Sequence, residues 1–365
     1  MDQGTYDYMT LGKKYDNYSA PGFDVTLNGT PLTMDKFPIQ ELEVEINADG
    51  TAGGCSFRVE GIYDHEQMKW KNSLAELVHP GAKLIIKGGY AAGKKELFYG
   101  YVDDYSFTFD EDGVPLVSVT GLDGLGYLMN MREPYYGGEK KAKQIITEML
   151  NKSVAAGFAK SVKVDVSEEF EAPILKEQVD DWKFLRLMAQ RCGASLFVVD
   201  GEMIFDTVAA KTAPILTLTM DKTVSNFQKR VSLAHQVGKV EVYGRDVNQK
   251  PVKGSADSVS LGGEGKSAKQ WVPGLKDAVL REYNEFVRTQ AECKSLAQHR
   301  LNTIAMGLVS GSGQCIGIPE LIPGRYLKID GSDKHLNGTY FLSKVRHHFT
   351  SGGYQTAFEF KGAKA

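Results

Sequence analysis

Cysteine is scarce: four residues in 365, at positions 55, 192, 293 and 315, with no Cys-x-x-Cys pair among them. A disulfide framework belongs to much shorter secreted chains, so four reduced thiols in a chain made in the cytosol are expected. Long apolar runs are missing too. The longest uncharged stretch, between Arg300 and Glu320, contains Gly307, Gly311, Gly313, Gly317 and Pro319, which break a membrane-spanning helix. Met1 to Ala20 is polar and Tyr-rich, without the apolar centre of a signal peptide. Neither sign of charge dominates: 43 Lys and Arg face 46 Asp and Glu, a net −3, which excludes the basic excess of a dedicated nucleic-acid binder. What is abundant is glycine, with 39 residues, and aromatic side chains at 10%. Many turns with many Tyr and Phe favour a β-rich fold, and the length suits two or three domains.

From Phe23 the pattern is that of strands. Asn28-Gly29 between Val25-Thr26-Leu27 and Leu32 is a two-residue hairpin signal. Leu42, Val44 and Ile46 alternate with Glu41, Glu43 and Glu45, the mark of a strand with one wet face. Tyr101 to Phe109, the turn Asp110-Glu111-Asp112-Gly113 and Val114 to Val119 predict a hairpin. Helical spacing then takes over at Ala142, Ile145, Ile146, Met149 and Leu150. A second helix is predicted from the N-cap Asp180, with Trp182, Leu185, Met188, Ala189 and Cys192 on its apolar side and Gly193 as its stop. Two short strands joined by Asp200-Gly201 follow. The resulting division is an N-terminal extension (1–19), a first antiparallel β-barrel domain (20–130), an inserted small α+β unit (131–210) and a second β-barrel domain (211–365). Within the last, 246–270 reads as a mobile loop, and a helix over 284–304 is expected to pack on the second barrel.

The two β-regions resemble each other. Pro80-Gly81-Ala82-Lys83-Leu84-Ile85-Ile86 echoes Pro323-Gly324-Arg325-Tyr326-Leu327-Lys328-Ile329, with Leu and Ile at matched offsets. Each is followed by a long strand, Tyr101 to Phe109 and Tyr340 to Phe349, and by a glycine turn at Gly113 or Gly352-Gly353. A duplicated β-domain is the better reading of this pattern than chance.

Motifs for chemistry do not survive geometric tests. Gly311-Ser312-Gly313-Gln314-Cys315-Ile316-Gly317 has the wrong spacing for a dinucleotide loop and reads as a loop leading into a strand. His347-His348 would point to opposite faces of a strand and cannot share an ion. Asp103-Asp104 diverge in the same way. Asp110-Glu111-Asp112-Gly113 lacks the closing acid of a calcium loop. Cys192, at a helix end, is expected in a core. The expectation is therefore no catalytic residue, no cofactor and no metal, and the scattered Trp70, Trp182 and Trp271 argue against a glycan-active enzyme.

One segment carries a resemblance. Asp180-Asp181-Trp182-Lys183-Phe184-Leu185 through Cys192-Gly193, then Asp200-Gly201 and Met203-Ile204-Phe205, resembles the late-control gene D family of baseplate hub proteins from contractile phage tails and tailocins. The family is similar to the N-terminal part of type VI secretion spike proteins. Val240-Glu241-Val242-Tyr243-Gly244-Arg245-Asp246, Ile322-Pro323-Gly324, Leu336-Asn337-Gly338-Thr339-Tyr340, Val345-Arg346-His347 and Gly353-Tyr354-Gln355-Thr356 agree with it in order. The resemblance implies a homotrimer whose six tube-type barrels adapt a central spike to a hexameric tail tube. It further implies baseplate wedge and tape-measure partners, neither specific nucleic-acid binding nor membrane insertion, assembly in the bacterial cytoplasm and residence in a virion or tailocin baseplate. Because the sequence stops at Ala365, the spike is expected on another polypeptide. The hub of a non-contractile tail is the alternative within the same class.

Overall fold

The computed structural model describes all residues except 1–3, 61, 65, 71–73, 110–114, 139, 221 and 332, so the turn Asp110-Glu111-Asp112-Gly113 lies outside the described residues. The chain is β-rich, and thirteen of its strands form one large sheet. After the helix α1 (Tyr8–Lys14) come β1 (Pro21–Leu27), β2 (Ile39–Asn47), β3 (Gly54–Glu60), β4 (Lys83–Tyr90), β5 (Gly93–Thr108) and β6 (Leu116–Asp123). Asn28 and Gly29 both take positive φ, which makes the turn from β1 into the short strand Thr30–Leu32. On β2 the alternation appears as expected: Leu42, Val44 and Ile46 are buried while Glu41, Glu43 and Glu45 line the wetter face.

The chain then leaves the sheet. Helices α2 (Gly124–Leu128), α3 (Ala142–Ala155) and α4 (Asp181–Cys192) pack with β7 (Ser161–Asp165), β8 (Ser195–Val199) and β9 (Glu202–Asp206) around a core of their own. The Asp180 side chain accepts from the Lys183 amide at 2.7 Å, and Gly193 ends α4 at φ 60°. Trp182 is not on the buried side of α4, which consists of Asp181, Phe184, Leu185, Met188, Ala189 and Cys192. It is half-buried instead, donating from Nε1 to the Gly50 carbonyl at 2.7 Å under the Arg186 guanidinium. One indole thus ties the inserted helix to the β2–β3 turn, and a large core cavity on its removal is not expected.

Strands resume with β10 (Pro214–Thr219) and β11 (Val224–Val231), and here the structure departs from the sequence reading. The stretch 246–270 is not loop throughout, since it holds a strand over Pro251–Ala256 and the start of a short helix, Ala268–Trp271. Strands β12 (Lys239–Arg245), β13 (Pro251–Ala256) and β14 (Val279–Tyr283) form a second three-stranded sheet covered by α5 (Gln290–Ala305). The inward positions of β13 are Val252, Gly254 and Ala256, too small to print a strand pattern on the sequence. Helix α5 starts six residues later than the expected 284. Thr289 and Glu292 form a capping box, Thr289 Oγ1 accepting from the Glu292 amide and the Glu292 carboxylate from the Thr289 amide, both at 3.1 Å. Its apolar side packs on β12 and β13, not on the second barrel.

The chain returns as β15 (Val309–Ile316), β16 (Tyr326–Asp330), β17 (Gly338–Thr350) and β18 (Gly353–Gly362). Gly311 and Gly313 lie inside β15 rather than in a loop. A Cβ at either would come within 2.5 Å of the ring of Phe360 or Phe358, so glycine here admits two aromatic rings across the strand.

Candidate assembly interface

The two sets of six strands have one topology. The first runs β1-β4-β5-β6-β3-β2 and the second β10-β16-β17-β18-β15-β11, the same order of first, fourth, fifth, sixth, third and second strand. They differ at one joint, β1 being antiparallel to β4 and β10 parallel to β16. The likeness extends to single bonds. Gly81, at φ 81°, donates to the Val102 carbonyl at 2.8 Å, and Gly324, at φ 77°, donates to the Leu342 carbonyl at 2.9 Å. Register then slips by one residue at Val102/Asp104 in the first copy and at Leu342/Lys344 in the second. A bulge retained at an equivalent position marks a built feature, because it re-aims every side chain after it.

The two copies are joined edge to edge. Strand β17 pairs antiparallel with β2, from Lys344 opposite Asn47 to Phe349 opposite Leu42. On the wetter face this joint is a charge ladder, basic on β17 and acidic on β2. Arg346 reaches Glu45 at 2.6 Å and Glu43 at 3.2 Å, Lys344 reaches Glu45 at 3.2 Å, and His348 reaches Glu41 at 2.8 Å. Burial raises the Glu45 pKa, but hydrogen bonds from Arg346, Asn47 and Lys344 outweigh it and hold the carboxyl below its ordinary range. The opposite face is apolar, with Val345, Phe349, Leu42, Val44 and Ile46 buried in a core that spans both copies.

The N-terminal segment straps this arrangement. Tyr15 and Lys14 both donate to the buried Glu320 carboxylate, at 2.6 and 2.7 Å, and Tyr15 and Tyr18 pack against Tyr90. The Tyr90 hydroxyl in turn donates to the Gly317 carbonyl at 2.7 Å, so β4 of the first copy is tied to the second.

The residues that the sequence offered for chemistry take structural places. His347 and His348 diverge: His348 joins the charge ladder, while His347 is fully buried with its Nδ1 hydrogen-bonded to the Tyr354 hydroxyl at 2.8 Å. Burial, helped by the nearby Lys95 charge, pulls His347 down to about 3. Cys192 is buried in the inserted unit and its thiol is pushed up to about 12, the state of an inert core residue. Asp103 and Asp104 lie exposed on β5. Sequence reading missed Asp123, a buried carboxylate at the start of α2 that accepts from the Gly53 and Leu125 amides at 2.7 and 2.8 Å. Burial raises it to about 7. Among the described residues no group of three or more His, Cys, Asp or Glu could hold a metal ion, and no helix is long and apolar enough to cross a membrane.

The state of His347 sets a pH dependence. Its folded pKa lies below the unfolded value of about 6.5, so its contribution is complete above pH 6.5 and is lost as pH falls toward 3. By pH 4.5 this amounts to about 2–3 kcal/mol. Chemical denaturation of wild type and His347→Gln across pH 4.5–7.5 should show a shallower slope in the variant. Equal slopes would mean that the wild-type ring is solvated.

The family model described as the Alg8 N-terminal domain matches residues 19–351; the description names a domain and states no reaction. No curated protein matches the chain. Among solved structures, the 43 kDa tail protein of prophage MuSo2 from Shewanella oneidensis superposes with a TM-score of 0.69 at 15% identity, covering 93% of this chain and 98% of that one. A tail protein from Neisseria meningitidis gives 0.67 at 12% identity, covering 94% and 97%. A component of the E. coli type VI secretion system, described as similar to T4 tail proteins gp27 and gp5, gives 0.57 at 11% identity, covering 92% and 76%. The chain has the fold of these tail proteins.

Proposed function

The chain belongs to the Alg8 N-terminal domain family by its match over residues 19–351, and from its tail-protein fold we propose that it is a structural baseplate hub of a contractile tail, of the late-control gene D type. In this reading three copies form a ring that joins a central spike to a hexameric tail tube. The observation that carries it is the duplication: one chain holds two six-stranded units of identical strand order, joined edge to edge. Three such chains present six similar units, the number a hexameric tube ring needs for repeated contacts. The polar, mixed-sign face of β2 and β17 and the net charge of −3 suit a channel wall to which passing DNA or protein does not adhere. The role is mechanical, with no reaction assigned to any residue. Baseplate wedge and tape-measure proteins are the further partners in this reading, and assembly takes place in the bacterial cytoplasm.

Light scattering on the chain co-expressed with its spike protein should give a mass containing a multiple of three copies. A stable monomer in that mixture would overturn the proposal.

A further inference from the structure

The intrachain joint is a template for a second joint that one copy cannot make. Eight strands run contiguously as β11-β15-β18-β17-β2-β3-β6-β5, so β11 lies at one end of the run, and at the other β5 continues past its partner β4. The ladder between β4 and β5 stops at Lys83 opposite Tyr101, while β5 extends to Thr108. Strand β11 pairs with β15 along one side. In the duplicated topology β5 is the equivalent of β17, and β11 is the equivalent of β2. What β17 and β2 do within the chain, β5 and β11 are therefore built to do between chains.

Burial marks the difference between the filled joint and the open edges. Phe107, equivalent to His347 through the shared bulge, is 41% exposed where His347 is 0%. Val231, equivalent to Ile46 through the β3–β6 and β15–β18 ladders, is 52% exposed where Ile46 is 5%. Phe107 continues an aromatic cluster, its ring 5.0 Å from Trp70 and 5.6 Å from Tyr105. The charges are inverted but complementary. Asp104 stands on β5 at the place of Lys344, while Arg230 stands on β11 at the place of Glu45. The filled joint has Lys and Arg on the fifth strand and Glu on the second.

We infer that the β5 edge of one copy pairs antiparallel with the β11 edge of a second copy. Tyr105 lies opposite Val231, Ser106 opposite Arg230, Phe107 opposite Lys229 and Thr108 opposite Gln228. This register is transferred from Val345 opposite Ile46, Arg346 opposite Glu45, His347 opposite Val44 and His348 opposite Glu43. The Lys344–Glu45 contact becomes Asp104 to Arg230 with its signs exchanged. Such a contact uses different surfaces on the two partners, so it repeats from copy to copy and ends either in a ring or in a filament. Closure at three rests on the hub reading above. A closed ring also removes two exposed strand edges, which otherwise invite uncontrolled pairing.

The test uses the full chain carrying Tyr105→Cys and Val231→Cys, assembled with its spike and exposed to oxygen with copper phenanthroline. All four native cysteines are buried and do not compete. Facing positions on antiparallel strands fall within disulfide reach, whereas a one-residue slip turns the side chain to the other face. Cross-linked dimers and trimers should form at least about fivefold more readily than with Tyr105→Cys and Arg230→Cys. Asp104→Arg alone should dissociate the assembly, and adding Arg230→Asp should restore it, with circular dichroism showing each variant folded. An intact threefold assembly without the Tyr105–Val231 cross-link would overturn this pairing while leaving the hub reading standing. Cross-linking in open filaments would support the pairing and overturn the hub reading. A chain monomeric in every condition would overturn both.

Discussion

Asp181→Ala is expected to destabilise the inserted α+β unit by about 3–5 kcal/mol. Asp181 is fully buried at the start of α4 and receives two ammonium groups, Lys176, itself 1% exposed, and Lys152 at 2.6 Å. Removing the carboxylate leaves the Lys176 charge in an apolar core with only a 3.4 Å approach to the Met131 carbonyl. Removing both charges is a different matter, because a buried ion pair repays little more than its own desolvation. Lys176→Met with Asp181→Leu should therefore recover most of the loss. With Trp70 and Trp271 replaced by Phe, Trp182, one residue along, reports locally by fluorescence. Its transition should move to lower denaturant in Asp181→Ala and return in the double variant. A loss under about 1 kcal/mol would mean that the pair is hydrated.

Gly254→Val should cost about 3 kcal/mol, at or beyond the upper end of the usual penalty for overpacking a core. A Cβ on Gly254 would lie 2.2 Å from the Lys294 amide nitrogen and 2.4 Å from the Cys293 carbonyl carbon, both backbone atoms of α5. Neither can rotate aside, so β13 and α5 must separate. Hydrogen exchange should show α5 losing protection and the large sheet keeping it. A neutral variant would return 246–270 to the mobile loop that its polarity suggests.

That contrast shows where the sequence was readable. Elements whose signal is local were legible: the Glu/Leu alternation of β2, the Asn28-Gly29 turn, and α4 between its Asp180 cap and Gly193 stop. The duplication was legible at its Pro-Gly corners, because each glycine occupies a positive-φ position that opens the same bonded turn. The second α+β unit was not, since β13 turns Val252, Gly254 and Ala256 inward, and small side chains leave no hydrophobic period. The start of α5 carried its signal in Thr289-Gln290-Ala291-Glu292, which the apolar spacing from 284 obscured. Gly311 and Gly313 suggested a loop because the rings that need them, Phe360 and Phe358, lie 49 and 45 residues away in sequence. The β17–β2 joint links residues about 300 apart, and register between such distant strands has no local mark. The candidate interface could be seen only once the two copies were laid strand on strand.

Electron cryo-microscopy of the purified native particle tests the central claim most directly. The account predicts three copies of the chain at the junction of spike and tube, with the six strands β1–β6 and the six strands β10, β11 and β15–β18 alternating as six equivalent units about one axis. Each β5 edge should meet a neighbouring β11. Six copies at that junction, or three whose repeats do not share the axis, would contradict it.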